Sequence, residues 1–118
     1  MQYLLLIYGS DEEWAALDAD EQRGIYARYG ELERELNAAG AITGGAELRP
    51  AATATTVRVR NGETLVTDGP FAETREQLGG FFQVECGSMK EALEIARRIP
   101  TAEHGAVEVR PQHVRAEA

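Results

Sequence analysis

Residues 67–82 read TDGPFAETREQLGGFF, and Asp68 is the first residue in that stretch with a reaction to offer. A carboxylate held in a Gly-Pro turn at the mouth of a strand is partly shielded from water, and a pKa raised by that shielding suits a general base. Glu73, Thr74 and Gln77 lie on one short segment, where Glu73 and Gln77 stand four apart and on a helix share a face; with Phe71 they could line a pocket wall beside Asp68. Tyr29 and His104 are the side chains that could complete an acid–base set, and Tyr8 ends an apolar run with a phenol able to hydrogen-bond a ligand. The same residues also have a structural reading. Asp and Gly before Pro form turns, Pro70 has the φ of a first helical residue, and Asp68 then caps a short helix over PFAETREQ that Gly79 and Gly80 end. His104 precedes a glycine just before the last strand, where a turn residue is expected.

Other chemistries have less to draw on. Ser10 and Ser88 sit at helix-capping positions and no G-x-S-x-G elbow occurs, so an activated serine is not expected. The one cysteine, Cys86, lies in the apolar segment FFQVECGSM; it excludes an internal disulfide and reads as a small buried hydrophobe. Two distant histidines, His104 and His113, plus a strand cysteine do not make metal-ligand spacing, and no metal is expected. The glycine pair lacks the Lys-Ser/Thr of a phosphate loop, so no nucleotide or other cofactor is expected either.

The elements that must position these residues follow from spacing. Tyr3 to Tyr8 is a nearly unbroken apolar run closed by Gly9, a strand with both faces covered. Ser10 with Glu13, then Asp18 with Glu21, have capping-box spacing, so a short helical turn restarts as a longer helix near Ala19. Ile25, Tyr29, Leu32 and Leu36 recur at 4, 3 and 4 along its buried stripe, and Gly40 stops it. TTVRVRNGETLVT is a hairpin whose Asn61-Gly62 turn sets Arg60 opposite Glu63 and Val57 opposite Val66. Gly80 to Cys86 is a strand, Ser88 and Glu91 cap a helix with Met89, Leu93 and Ala96 inward, Pro100 ends it, and Ala106 to Arg110 is a last strand.

Strand, helix, strand, hairpin, strand, helix, strand is an α+β order. It predicts a ferredoxin-like sandwich with an inserted β-hairpin ahead of the third main strand. Two helices cover one face of a four-stranded sheet, yet the central strands YLLLIY and FFQVEC carry apolar groups on both. A second copy is the simplest cover, which predicts a homodimer with a barrel-like centre.

At 118 residues and 43% apolar, the chain suits one domain over residues 1–118, with a loose tail at 111–118. Twelve basic against twenty acidic residues give a net charge of −8, with no basic cluster to hold nucleic acid or an anionic membrane surface. The apolar start is too short for a membrane span and lacks the flanks of a secretory signal. A reduced, cytoplasmic setting is the expectation.

The stretch TDGPFAETREQLGGFF, preceded by ATTVRVRNGETLV and followed by RIPTAEHGAVEVRP, resembles the DGPF subgroup of the YCII-related domain family. The opening YLLLIYG and the stretch AAGAITGGAEL are similar to that subgroup too. The resemblance implies a small dimeric α/β barrel and, from the genes such proteins are often encoded beside, an accessory role to an extracytoplasmic-function sigma factor. The wider family implies enzymatic chemistry through a histidine and an aspartate. Those positions fall at or next to Tyr29 and at Ile99 here, so that pair does not carry over. Three functions remain open from the sequence: a module binding a small organic ligand in a cleft near the DGPF segment, a lyase, isomerase or hydrolase using Asp68 with Tyr29 or His104, and a sigma-factor partner.

Overall fold

A computed structural model of the chain describes residues 1–116. β1 (Gln2–Gly9) leads through α1 (Asp11–Ala16) into the long α2 (Ala19–Ala38), and β2 (Ile42–Glu47) follows. A 3-10 turn at Ala51–Thr53 precedes β3 (Thr55–Arg60) and β4 (Glu63–Asp68). Then come β5 (Gln77–Glu85), α3 (Met89–Ala96), a 3-10 turn at Pro100–Glu103, and β6 (Ala106–Pro111). β2, β5, β1 and β6 form one antiparallel sheet in that order, consistent with a ferredoxin-like plan, while β3 and β4 form a separate two-stranded ribbon.

Local chemistry starts and stops these elements where the spacing predicts. The Ser10 hydroxyl accepts from the Glu13 amide at 3.1 Å, Asp18 and Glu21 exchange side-chain and backbone bonds at 2.8 and 3.2 Å, and Ser88 accepts from Glu91 at 3.2 Å. Each satisfies an amide that the helix itself cannot. Gly40 ends α2 at φ +68°, and the hairpin turns on Asn61 and Gly62 at φ 52° and 78°, with Arg60 facing Glu63 and Val57 facing Val66.

The core lies between the sheet and α2 and α3. Tyr3, Leu5 and Ile7 of β1 and Phe82 and Val84 of β5 meet Leu32 and Leu36 of α2, Ala92 and Ala96 of α3, and Ile99. Leu4 and Leu6 alternate with these on β1, and register places Gln83 and Phe81 of β5 and Arg110 and Glu108 of β6 beside them. That second face is only partly buried.

Four expectations change. Residues 70–76 form no helix, so Asp68 caps none and Glu73 and Gln77 share no helical face. Here Thr74 Oγ1 donates to the Glu76 carbonyl at 2.5 Å and Gln77 Nε2 to the Thr74 carbonyl at 2.6 Å, local bonds that compete with a helical ladder. Gly79 and Gly80 are therefore strand residues. Gly79 is the extra residue of a β-bulge against Ile7 and Tyr8, and a Cβ at Gly80 would lie 2.7 Å from the Ala46 carbonyl, so close strand approach requires glycine there. On α3 the buried pair is Ala92 and Ala96, while Leu93 is exposed, because small side chains let the helix settle onto β1 and β6 along that row. Cys86 is half-buried just past β5, and of the tail, Pro111 closes β6 and Gln112 bonds the Gln2 carbonyl at 2.8 Å. The last two residues of the expected loose segment, 117–118, lie outside the described residues.

Candidate functional site

Three chain segments meet at the carboxyl end of β1. The strand closes at Gly9, whose Cβ position lies 3.3 Å from Thr101 Cγ2, and Ser10 turns directly into α1. Asp11 Oδ2 accepts from the Ala51 amide at 2.9 Å, which ties this corner to the β2–β3 connection. From the opposite side the connector into β5 brings Arg75, which donates to Glu13 Oε1 at 2.9 Å. The turn before β6 closes the third side: Gly105 N donates to the Thr101 carbonyl at 2.7 Å, and His104 stands exposed between them.

Ser10, Glu13, Thr74, Arg75, Glu76 and His104 enclose an open cleft of about 540 Å³. That volume lies within the range of small-molecule sites, but the lining is polar and wet where most such sites are apolar. Arg75 carries the charge that any arginine keeps in water, and its bond to the Glu13 carboxylate raises its pKa further. The cleft thus offers a cation, an imidazole, two hydroxyls and two carboxylates.

Gln77 pairs with Gly9 on the adjoining strands, and its Oε1 is buried without a hydrogen-bond donor.

The expected site residues divide between this cleft and other places. His104 lines it and Gln77 adjoins it. Tyr29 lies behind the same turn: its hydroxyl and Thr101 Oγ1 are 2.6 Å apart, its ring meets Phe82 edge-on at 6.2 Å, and burial raises its pKa above the ordinary phenol value. Tyr8 alternates onto the other sheet face from Ile7, whereas Tyr29 packs on the helix side, so these two phenols are not brought together around one ligand. Asp68 ends β4 at the base of the hairpin, exposed, opposite Thr55, and it is not among the residues of the cleft. Phe71 and Glu73 are exposed in the connector that follows.

Thr74, expected on a pocket wall, does line the cleft, while sequence reading missed Arg75, Glu76, Ser10 and Glu13. One signal was present, since Arg75 is the sole basic residue between Arg60 and Lys90 in an acidic chain. Among the described residues no three His, Cys, Asp or Glu side chains converge in the manner of a metal site, and no helix is long and apolar enough to cross a membrane.

The family model for the YCII-related domain matches residues 1–113. The chain belongs to the YCII-related domain family. An uncharacterised protein of Rhizobium meliloti (strain 1021) is 39% identical over 113 residues, covering 94% of this chain and 91% of that protein. Within this YCII-related chain the helix position that faces the β6 turn is filled by Tyr29 bonded to Thr101, and Ile99, two residues earlier, is wholly buried in the core. Ile99 is a hydrocarbon with no proton to exchange, and burial raises the Tyr29 phenol above its ordinary pKa.

Proposed function

We propose that this YCII-related protein, of the DGPF type, is a homodimeric binding module. Its open sheet faces meet in a barrel-like centre, and its cleft at the end of β1 takes a small polar organic molecule bearing a carboxylate. The observation that carries this reading is the convergence of Ser10, Arg75 and His104 from three separate segments on one accessible cleft. Arg75 supplies a fixed cation for the carboxylate, His104 and the hydroxyls of Ser10 and Thr74 bond the remaining polar groups, and Glu13 and Glu76 favour a ligand that also carries donors. A second copy would cover Leu4, Leu6 and Phe81, which the chain leaves partly open. Acid–base turnover ranks below binding, because Asp68 stands outside the cleft and the family's reactive pair falls, by resemblance, at or next to Tyr29 and at Ile99.

The test is a thermal-shift screen of small carboxylates, amino acids and hydroxy acids against the wild-type protein, Arg75→Ala and His104→Ala. A ligand at a hundred times its dissociation constant adds about 2.7 kcal/mol to stability, a readily visible rise in midpoint. Carboxylate ligands should lose at least tenfold in affinity on Arg75→Ala and severalfold on His104→Ala. Ligands that stabilise both variants as well as wild type would place binding elsewhere, and a panel without any stabilising member would end the binding reading.

A further inference from the structure

The cleft at the end of β1 holds more negative than positive charge. Glu13, Glu76 and Arg75 all line it, so with histidine counted neutral the lining sums to 1 − 2 = −1. A simple carboxylate seated on Arg75 would take that sum to −2, on a chain whose net charge is already −8. Like charges brought this close oppose both the encounter and the complex. A ligand with a carboxylate and nothing positive is therefore a poor match for this cleft.

The ion pair already present does not use up the site. One bond is formed, from an Arg75 terminal nitrogen to Glu13 Oε1 at 2.9 Å. A guanidinium carries five N–H donors in a planar fork, so the others can take a second carboxylate while the first stays. The pair is also open to water, with the arginine side chain 83% and the glutamate 49% exposed, and an exposed pair yields readily to a competing ion. Among the described residues no ion pair or hydrogen bond engages the Glu76 carboxylate; it is the Glu76 carbonyl that accepts from Thr74. Glu76 still acts on the same guanidinium: the Arg75 pKa is raised first by the bond to Glu13, and in smaller part by the charge of Glu76.

We propose that the ligand of this cleft is an amino acid or a close relative, a molecule with an ammonium group beside its carboxylate. The carboxylate adds to the remaining donors of Arg75, and the ammonium, with three donors and no acceptor, finds its acceptors in Glu13 and Glu76. A zwitterion leaves the sum at −1, and Ser10, Thr74 and His104 are left to meet its side chain. This inference rests on the binding reading above and narrows its carboxylate ligand to a zwitterion.

Matched ligands test it. Serine, glutamine and leucine are each compared with the 2-hydroxy acid and the deaminated acid of the same skeleton, by amide-resonance titration of isotopically labelled protein. The titrations use wild type, Arg75→Ala and the double variant Glu13→Gln/Glu76→Gln, whose α1 cap is retained because Ser10 accepts from the backbone amide of residue 13. At least one amino acid should bind about fivefold or more tighter than both of its matched acids. That preference should shrink below about twofold in the double variant, and Arg75→Ala should weaken binding at least about tenfold. Hydroxy acids that bind as well as their amino acids, while still depending on Arg75, overturn the zwitterion and leave the carboxylate cleft standing. A preference that survives in the double variant overturns it too, since the selection then comes from elsewhere. If no member of the series binds, or if binding is indifferent to Arg75→Ala, both readings fall.

Discussion

An alanine at Gly105 has no room for its methyl group. A Cβ there would lie 2.3 Å from the Tyr8 carbonyl oxygen, 3.1 Å from Thr101 Cγ2 and 3.2 Å from the Thr101 carbonyl oxygen. Carbon meets a carbonyl oxygen comfortably at roughly 3.3–3.6 Å, so the first contact is short by about an ångström. Gly105 is not among the residues with positive φ, which leaves crowding as the whole cost. Tyr8 belongs to the central strand, held by β5 on one side and β6 on the other, and the strand will not yield. The turn must move, stretching the 2.7 Å bond from Gly105 N to the Thr101 carbonyl and shifting His104 at the cleft. Overpacking of this kind costs about 1–3 kcal/mol. At roughly 4 °C per kcal/mol for a chain of this size, Gly105→Ala should melt about 4–12 °C below wild type. Calorimetry at one fixed protomer concentration removes the contribution of assembly, and the ring resonances of His104 should shift in the folded variant. A variant within about 1 °C of wild type, with those resonances unmoved, would refute the claim that backbone contact across β1 fixes the cleft wall.

Two further outcomes follow from single groups. The buried Tyr29 phenol has a folded pKa raised above 10, mainly by desolvation. Its proton is held more tightly folded than unfolded, so its contribution to stability is complete below about pH 10 and is lost as pH rises through the folded value. Urea midpoints measured up an alkaline series should fall less steeply for Tyr29→Phe than for wild type, and phenolate absorbance should show one late-titrating tyrosine fewer in the variant, Tyr26 being raised in both; equal slopes would count against the buried phenol. Gly24 is exposed within α2, at negative φ, with nothing within 4 Å of a Cβ position. Gly24→Ala should therefore raise the urea midpoint by the equivalent of about 0.5–1 kcal/mol at unchanged m-value, and no rise would mean that this turn of α2 is constrained by something other than helix propensity.

What the sequence made legible is what short spacing decides. Ser10, Asp18 and Ser88 each act on an amide three residues on, and Asn61-Gly62 needs only its own backbone freedom to set the hairpin register. The element order then leaves few topologies, and the ferredoxin-like strand order is among them. The connector at 70–76 was misread because Pro70 and the polar run suit a helix start equally well, and two side-chain bonds to nearby carbonyls settle the contest. Leu93 was misread because helical period alone cannot tell a leucine row from the alanine row beside it when the sheet below favours close approach. The cleft was only partly legible: Ser10, Arg75 and His104 are far apart along the chain, and each has an ordinary local role that hides the meeting point.

The apolar pattern of β1 shows a different limit. The run Tyr3 to Tyr8 reads as a strand covered on both faces, yet within one chain only Tyr3, Leu5 and Ile7 are buried, while Leu4 and Leu6 stay partly open. A hydrophobic run records how much surface must leave water without recording which chain supplies the cover. The same holds for Val57, Val59 and Val66, whose alternation is right for a strand and whose face stays mostly exposed among the described residues.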